Sequence, residues 1–269
     1  MSLREEIIEA LIKAHIPSPR LEADIILKHA APSYPDMSQE ERQNALQMLK
    51  RRLNHEPMDK ILGYREFYKS VFKVSRDVLS PRPDTEILVE SALELMPKDK
   101  TVKILDLGIG SGCILLSLLK ENPQAMGTGV DVSAKALNIA KENAKALNLL
   151  SQTTFVNKSW TEPDFITETY DIIVSNPPYI PTEEIATLAT EVKDNDPLSA
   201  LDGGADGLKC YLEIAEIAPS LLTKNGHILL EIGYNQAEDV IKIFENQGLK
   251  LVRTVQDLAQ INRCVILKK

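Results

Sequence analysis

Near the start of the chain, apolar residues return every three to four positions. Leu3, Ile7, Ile8, Leu11 and Ile12 fall on one helical face. The pattern predicts a first short helix closed by Ile16-Pro17-Ser18-Pro19, where proline stops it. Leu21 to Ala31 repeats the periodicity before Pro32 and Pro35, and Ser38-Gln39-Glu40-Glu41 forms a capping box that opens a third helix running toward His55. From Tyr64 to Leu79 the pattern changes. Phe67, Tyr68, Val71, Phe72, Val74 and Val78, with a turn signal at Ser75-Arg76-Asp77, predict two short strands forming a hairpin between two domains.

After Pro81-Arg82-Pro83, apolar runs of strand length alternate with amphipathic stretches. Strands are expected over Val102 to Leu107, Ala125 to Asp131, Thr153 to Val156, Tyr170 to Ser175, Gly226 to Ile232, Lys250 to Arg253 and Cys264 to Leu267, and helices over Ser133 to Leu147 and Ala237 to Gln247. The economical fold is α/β: a mainly parallel sheet covered on both faces. The division expected is a helical domain over 1–60, a hairpin linker over 61–80 and a sheet domain over 81–269.

Composition narrows the function class. Hydrophobic residues at 43% and charged residues at 26% exclude a disordered or collagen-like chain. No apolar run approaches the roughly 18 to 20 residues that cross a bilayer, and Met1 to Glu9 is acidic and amphipathic, so no membrane partner is expected and a cytoplasmic location is the simplest. Cys113, Cys210 and Cys264 have no paired spacing and His15, His29, His55 and His227 no ligand spacing, so neither a disulfide framework nor a metal site is expected. With a formal charge of −8, direct nucleic-acid binding is not expected.

Two constellations carry chemistry. In the first, the strand ending at Ile104-Leu105 runs into Asp106-Leu107-Gly108-Ile109-Gly110-Ser111-Gly112, and a helix follows from Cys113 to Lys120. Alternate glycines let the backbone approach a ligand, and the N–H groups of a helix start favour an anion. The spacing is Gly-x-Gly-x-Gly, so the longer dinucleotide fingerprint is not met. The next strand ends at Gly129-Val130-Asp131, 19 residues after Gly112, where an acid can accept hydrogen bonds from both hydroxyls of a ribose or simply cap the helix starting near Ser133.

In the second, the strand from Tyr170 to Ser175 delivers Asn176-Pro177-Pro178-Tyr179 at its C-terminal end, the ligand side of an open α/β sheet. An amide nitrogen is a weak nucleophile, so a site that methylates one must hold the NH2 group in line with the donor. That requires acceptors. The side-chain oxygen of Asn176 and the main-chain carbonyl of Pro177 can each take one N–H, the two prolines stiffen the loop, and Tyr179 offers a ring face to a planar amide or base. The plain alternative is a strand end closed by proline.

The glycine loop and acid resemble the S-adenosylmethionine site of the Rossmann-like methyltransferases. The chain as a whole resembles the HemK/PrmC family of glutamine methyltransferases through Ile16-Pro17-Ser18-Pro19-Arg20-Leu21-Glu22-Ala23, Ile61-Leu62-Gly63-Tyr64-Arg65-Glu66-Phe67, Val78-Leu79-Ser80-Pro81-Arg82-Pro83-Asp84-Thr85-Glu86 and Ala200-Leu201-Asp202-Gly203-Gly204-Ala205-Asp206-Gly207-Leu208. The resemblance implies a seven-stranded Rossmann-like methyltransferase domain behind a small helical domain and hairpin. It also implies methyl transfer from S-adenosylmethionine to the Gly-Gly-Gln glutamine of class 1 peptide chain release factors. Asp106, Gly108, Ile109, Gly110, Ser111, Gly112, Asp131, Trp160 and Asn176 would then hold the cofactor, Asn176 to Tyr179 the glutamine, and Asn176, Pro177 and Tyr179 would serve catalysis. Three residues depart from the family's pattern: Ile109 where a small hydroxyl residue is usual, Ser159 where an acid or amide is common, and Asp196 in place of Glu. Arg82 and Glu86 could pair with each other as a strut or meet the substrate. Competing readings are a glutamine methyltransferase for a ribosomal protein, an adenine-N6 methyltransferase for DNA or RNA, and a non-catalytic cofactor-binding scaffold.

Overall fold

The computed structural model describes residues 1–97 and 100–269. Four helices come first: α1 (Leu3–Lys13), α2 (Pro19–Ala30), α3 (Gln39–Leu53) and α4 (Met58–Leu62). The expected capping box is present, with Ser38 Oγ accepting from Glu41 N–H at 3.1 Å and Ser38 N–H donating to Glu41 Oε2 at 2.7 Å. Pro19 opens α2 at its first turn, where a missing N–H costs nothing. Ile7, Leu11, Ala23, Ile26 and Ala45 bury the apolar stripes of these helices in a core of their own. Residues Met1–Gly63 form one compact unit together with the distant segment Ala189–Asn195, whose short helix is α8 (Thr190–Lys193). Buried Arg52 accounts for that segment's place: its guanidinium meets Glu22 and the partly exposed Glu191, each at 2.6 Å, so the buried cation is matched by two carboxylates.

The second unit spans Tyr64–Leu188 and Asp196–Lys269. It opens with β1 (Tyr64–Phe67) and β2 (Ser70–Lys73), the expected hairpin, but the turn is Tyr68-Lys69 and not Ser75-Arg76-Asp77. Both turn residues have positive φ, 36° and 57°, the hand that matches strand twist in a two-residue hairpin. Neither is Gly, Asn or Asp, so the sequence carries no turn signal there. Ser75 does make a turn, accepting from the Asp77 N–H at 3.1 Å, but beyond both strands.

The remaining elements are α5 (Glu86–Leu95), β3 (Lys103–Leu107), α6 (Cys113–Glu121), β4 (Met126–Val130), α7 (Ala134–Ala146), β5 (Thr153–Val156), β6 (Tyr170–Ser175), α9 (Lys209–Leu221), β7 (Leu222–Glu231), α10 (Ala237–Asn246), β8 (Lys250–Gln256) and β9 (Asn262–Lys268). They build a seven-stranded sheet in the order β5-β4-β3-β6-β7-β9-β8. The pairs from β5 to β7 are parallel, and β9 runs antiparallel to both β7 and β8. Alternation along each strand divides the core in two. Ile104, Ile172, Val174, Leu229 and Ile266 pack with α5, α6 and α7, while Leu105, Leu107, Ile173, Leu230 and Val265 pack with α9 and α10. A sheet covered on both faces explains why its strands read as continuous apolar runs.

One polar side chain ties the hairpin to the sheet's first loop. Asn143, on α7 and 2% exposed, accepts from the Lys73 N–H at 2.7 Å and donates to Lys73 O at 3.0 Å and to Ser111 O at 2.8 Å. Asn143→Leu keeps the volume but strands these main-chain groups. Urea unfolding should show a loss of about 2 to 3 kcal/mol, the cost of buried polar groups left unpaired.

Candidate functional site

Strand order reverses at β3: β4 and β5 lie on one side of it, β6 and β7 on the other. In an open α/β sheet the crevice beyond the carboxyl ends of such a switch point receives ligands. A crevice is found there. Its walls include Gly108 to Ser111 after β3, Asp131 after β4, Trp160 after β5, and Asn176 and Pro178 after β6. The structure therefore gathers most of the residues singled out from the sequence. Gly112, Pro177, Tyr179 and Asp106 are next to these residues but do not line the crevice.

The loop after β3 is held in a tight shape. The N–H groups of Gly108 and Ile109 both donate to Val130 O, at 2.9 and 3.0 Å, and Gly108, Gly110 and Gly112 take positive φ values of 81°, 54° and 83°. Asp131 fastens the loop from the neighbouring strand end, accepting from the Gly110 N–H at 3.0 Å and from the Ser133 N–H at 2.8 Å. Ser133, not Asp131, caps α7, through its hydroxyl to the Ala136 N–H at 3.2 Å. Burial raises the Asp131 carboxyl above the ordinary range, and the two N–H donors pull it back.

The departures from the family pattern find local explanations. Ile109 borders the crevice but is buried over β4, so close to Gly129 that a Cβ there would lie 2.1 Å from Ile109 Cδ1. Glycine at 129 makes room for the larger residue at 109. The Ser159 hydroxyl bonds Thr161 Oγ1 at 2.7 Å. Asp196, buried, meets Arg82 Nη2 at 3.1 Å, whereas Glu86 accepts from the Tyr68 N–H at 3.1 Å. The strut made by Arg82 thus ends on Asp196 and not on Glu86, a pairing across 114 residues that short-range spacing does not reveal.

Trp160 leans over the loop, its indole N–H donating to Glu213 Oε2 at 2.9 Å and its ring 3.6 Å from where a Gly108 Cβ would stand. The Asn176 Nδ2 group donates to Thr85 Oγ1 at 3.4 Å, and Oδ1 of the same amide has no hydrogen-bond partner among the described residues. Behind the tetrad, Gln236 Nε2 donates to Tyr179 O at 3.0 Å and Gly207 O at 3.2 Å. Gly207, at φ 76°, passes so near that a Cβ would sit 2.3 Å from Tyr179 O, which accounts for glycine in the 203–207 segment. Burial pushes the Tyr179 phenol up to about 12, so it stays neutral.

Sequence reasoning missed Val78 to Pro81, Thr85, Pro197, Ser199 and Ala200 as crevice walls. It also missed Glu231, which ends β7 and is buried. An acid closing an apolar strand on the ligand side of the sheet was the available signal.

Comparison with known proteins agrees with this geometry. Residues 2–63 match the model of the PrmC N-terminal domain and residues 83–193 that of the Methyltransferase small domain. The release factor glutamine methyltransferase of Caulobacter vibrioides is 39% identical, with 96% of this chain and 92% of the relative covered. The chain belongs to the release factor glutamine methyltransferase family. A second relative in that family, from Agrobacterium fabrum, is 42% identical over 91% of this chain and 84% of its own length. Among solved structures, the catalytic domain of human Mettl16 shares the fold at a TM-score of 0.62 and 16% identity, covering 79% of this chain and 82% of that one. A methyltransferase from Pyrococcus furiosus does so at 0.55 and 16%, covering 74% and 88%. The β3 loop and β6 tetrad thus belong to a family of methyltransferases. Among the described residues, no helix is long and apolar enough to cross a membrane and no cluster could hold a metal ion.

Asp106 is a strongly perturbed group beside the crevice. Fully buried at the end of β3, neither of its carboxylate oxygens has a partner of normal geometry. Burial pushes it up to about 7. The Leu115 N–H, outside ordinary hydrogen-bond geometry, lowers it a little, and Asp131 raises it further. Because the folded value lies above the unfolded one, the native state holds the extra proton between about pH 4 and 7, and stability falls as pH rises through that window. Asp106→Asn should remove this loss. Relative to the native sequence, its unfolding free energy should rise by on the order of 2 to 4 kcal/mol from pH 4 to pH 8, read from urea titrations at both.

Proposed function

We propose that the crevice binds S-adenosylmethionine and that the enzyme methylates the side-chain amide of the Gly-Gly-Gln glutamine in class 1 peptide chain release factors. The observation that carries this reading is the Asn176 amide on the crevice wall, with Nδ2 occupied by Thr85 and Oδ1 left to accept. The residues fit the cofactor. The N–H groups at the α6 start suit a carboxylate, Asp131 suits ribose hydroxyls, and the orphaned Asp106 suits a cation brought to the loop. When bound, S-adenosylmethionine supplies an electrophilic methyl group on a sulfonium. The chain's own work is to orient the acceptor. Asn176 Oδ1 and Pro177 O would take the two N–H bonds of the glutamine amide and leave the remaining direction of its nitrogen facing the methyl. The Tyr179 ring would stack on the amide plane. The names of the relatives support the release factor as partner, and the net charge of −8 offers little attraction to nucleic acid.

Mass spectrometry of a release factor incubated with enzyme and labelled cofactor should place one methyl group on that glutamine. Incorporation that survives its replacement, or that appears in duplex DNA instead, overturns the assignment. Asn176→Ala should lower single-turnover rates by roughly 10² to 10³, the loss typical of one preorganised polar partner at a reacting centre. Asp131→Ala should weaken cofactor binding by about 1.5 to 3 kcal/mol in calorimetry, the scale of hydrogen bonds to a charged group. Its far-ultraviolet spectrum, compared with that of the native sequence, separates this from unfolding.

A further inference from the structure

An asparagine amide has nearly the same shape in either orientation, and only its hydrogen bonds decide which end carries the oxygen. If Asn176 is to accept an N–H from the substrate, something must keep Oδ1 from trading places with Nδ2. The register of the sheet supplies a candidate. Ser175 is paired with Leu230 across β6 and β7, so the next residues, Asn176 and Glu231, emerge side by side at the strand ends. Thr85, 2% exposed, faces both.

We infer that Glu231, acting through the Thr85 hydroxyl, is the positioning residue that fixes the Asn176 amide with its oxygen toward the substrate. This rests on the reading that Asn176 Oδ1 receives a substrate N–H. An ionised carboxylate can only accept, so the single Thr85 proton is drawn to Glu231. Thr85 Oγ1 then has only lone pairs to offer, and it takes a hydrogen from Asn176 Nδ2, as observed at 3.4 Å. The chain of bonds runs one way, from amide to hydroxyl to carboxylate. Glu231 itself is 4% exposed and its Oε2 has no hydrogen-bond partner. The Asn176 amide also faces the carboxylate directly, and an acceptor there favours the same orientation, with Nδ2 toward Glu231.

Protonating Glu231 permits the reverse chain. The carboxyl then donates to Thr85, Thr85 donates to Asn176 Oδ1, and the amide turns its NH2 group to the substrate, where a second donor repels. The groups facing Glu231 are Asp84 and Thr85 before α5, Arg263 and Cys264 on β9, Asn176 and Tyr179 after β6, Tyr211 on α9 and Cys113 on α6. Burial pushes Glu231 up to about 7, with Asp84 raising it and Arg263, Thr85 and Asn176 lowering it. Tyr179, Cys113 and Cys264 are each pushed up to about 12 and do not titrate nearby. Asp106, also at about 7, is the other carboxyl in range.

The test is single-turnover methyl transfer at saturating cofactor, followed from about pH 5.5 to 8.5. With the native sequence the rate should rise with pH through about 7. Glu231→Gln, whose amide can donate as well as accept, should be roughly tenfold slower at pH 8 and should lose that rise, with cofactor affinity within about threefold of the native value. Thr85→Val should behave the same way, and Thr85→Ser should recover most of the rate and the pH dependence. A pH rise that persists in Glu231→Gln assigns the titration to Asp106 or elsewhere and overturns the inference, as does a Thr85→Val rate within twofold of native. Asn176→Ala in the same series separates the two levels. If it is slow while Glu231→Gln and Thr85→Val match the native rate, the inference fails alone; if it is itself fast, the reading of the site fails.

Discussion

Because β4 and β5 are added on one side of β3, and β6 and β7 on the other, the chains leaving β3 and β6 diverge from adjacent strand ends. A gap at that point is a requirement of connectivity and not an accident of loop length. The glycine loop, the tetrad and the buried acids all inherit their places from it. Parallel register then sets what meets what: Asp106 lies level with Gly129 and Val174, and Ser175 with Leu230. Side chains one residue further along each strand are brought to a common rim without long-range adjustment.

The same arrangement makes the site costly. Asp106 and Glu231 share strand parity with Ile104 and Leu229, and so point to the face covered by α5, α6 and α7. Both carboxyls leave water, and both retain an oxygen without a partner. A fold chosen for stability alone would place apolar residues there. The two positions are offset elsewhere, by the continuous apolar packing of seven strands against helices on both faces and by the satisfied charge cluster of Arg52, Glu22 and Glu191 in the helical unit.

Much of this was legible in the sequence, because the informative residues stand where periodicity changes. The loop from Gly108 to Gly112, Asp131 and the tetrad each follow a short apolar run, so strand order alone put them on one side of a sheet. The hairpin strands were legible too, but their turn was not: Tyr68 and Lys69 adopt positive φ without the residues that usually announce it. Arg82 has an acid four residues away, and pairing with it or meeting the substrate are equally open from the sequence; its carboxylate partner is Asp196, and local spacing says nothing of contacts closed by tertiary folding. Glu231 escaped notice because one acid after an apolar strand resembles any solvated strand end until its burial is known.

Asn143 binds three parts of the chain that are otherwise far apart: the edge of the hairpin, α7 and the loop that follows β3. Its amide is shared between Lys73 and Ser111, so neither segment can swing outward without stripping the other of a partner. Local opening should therefore be concerted. The amide protons of β2 and of the glycine loop would exchange with solvent as members of one cooperative unit, and a ligand that settles on the loop would also slow exchange in a hairpin it never touches.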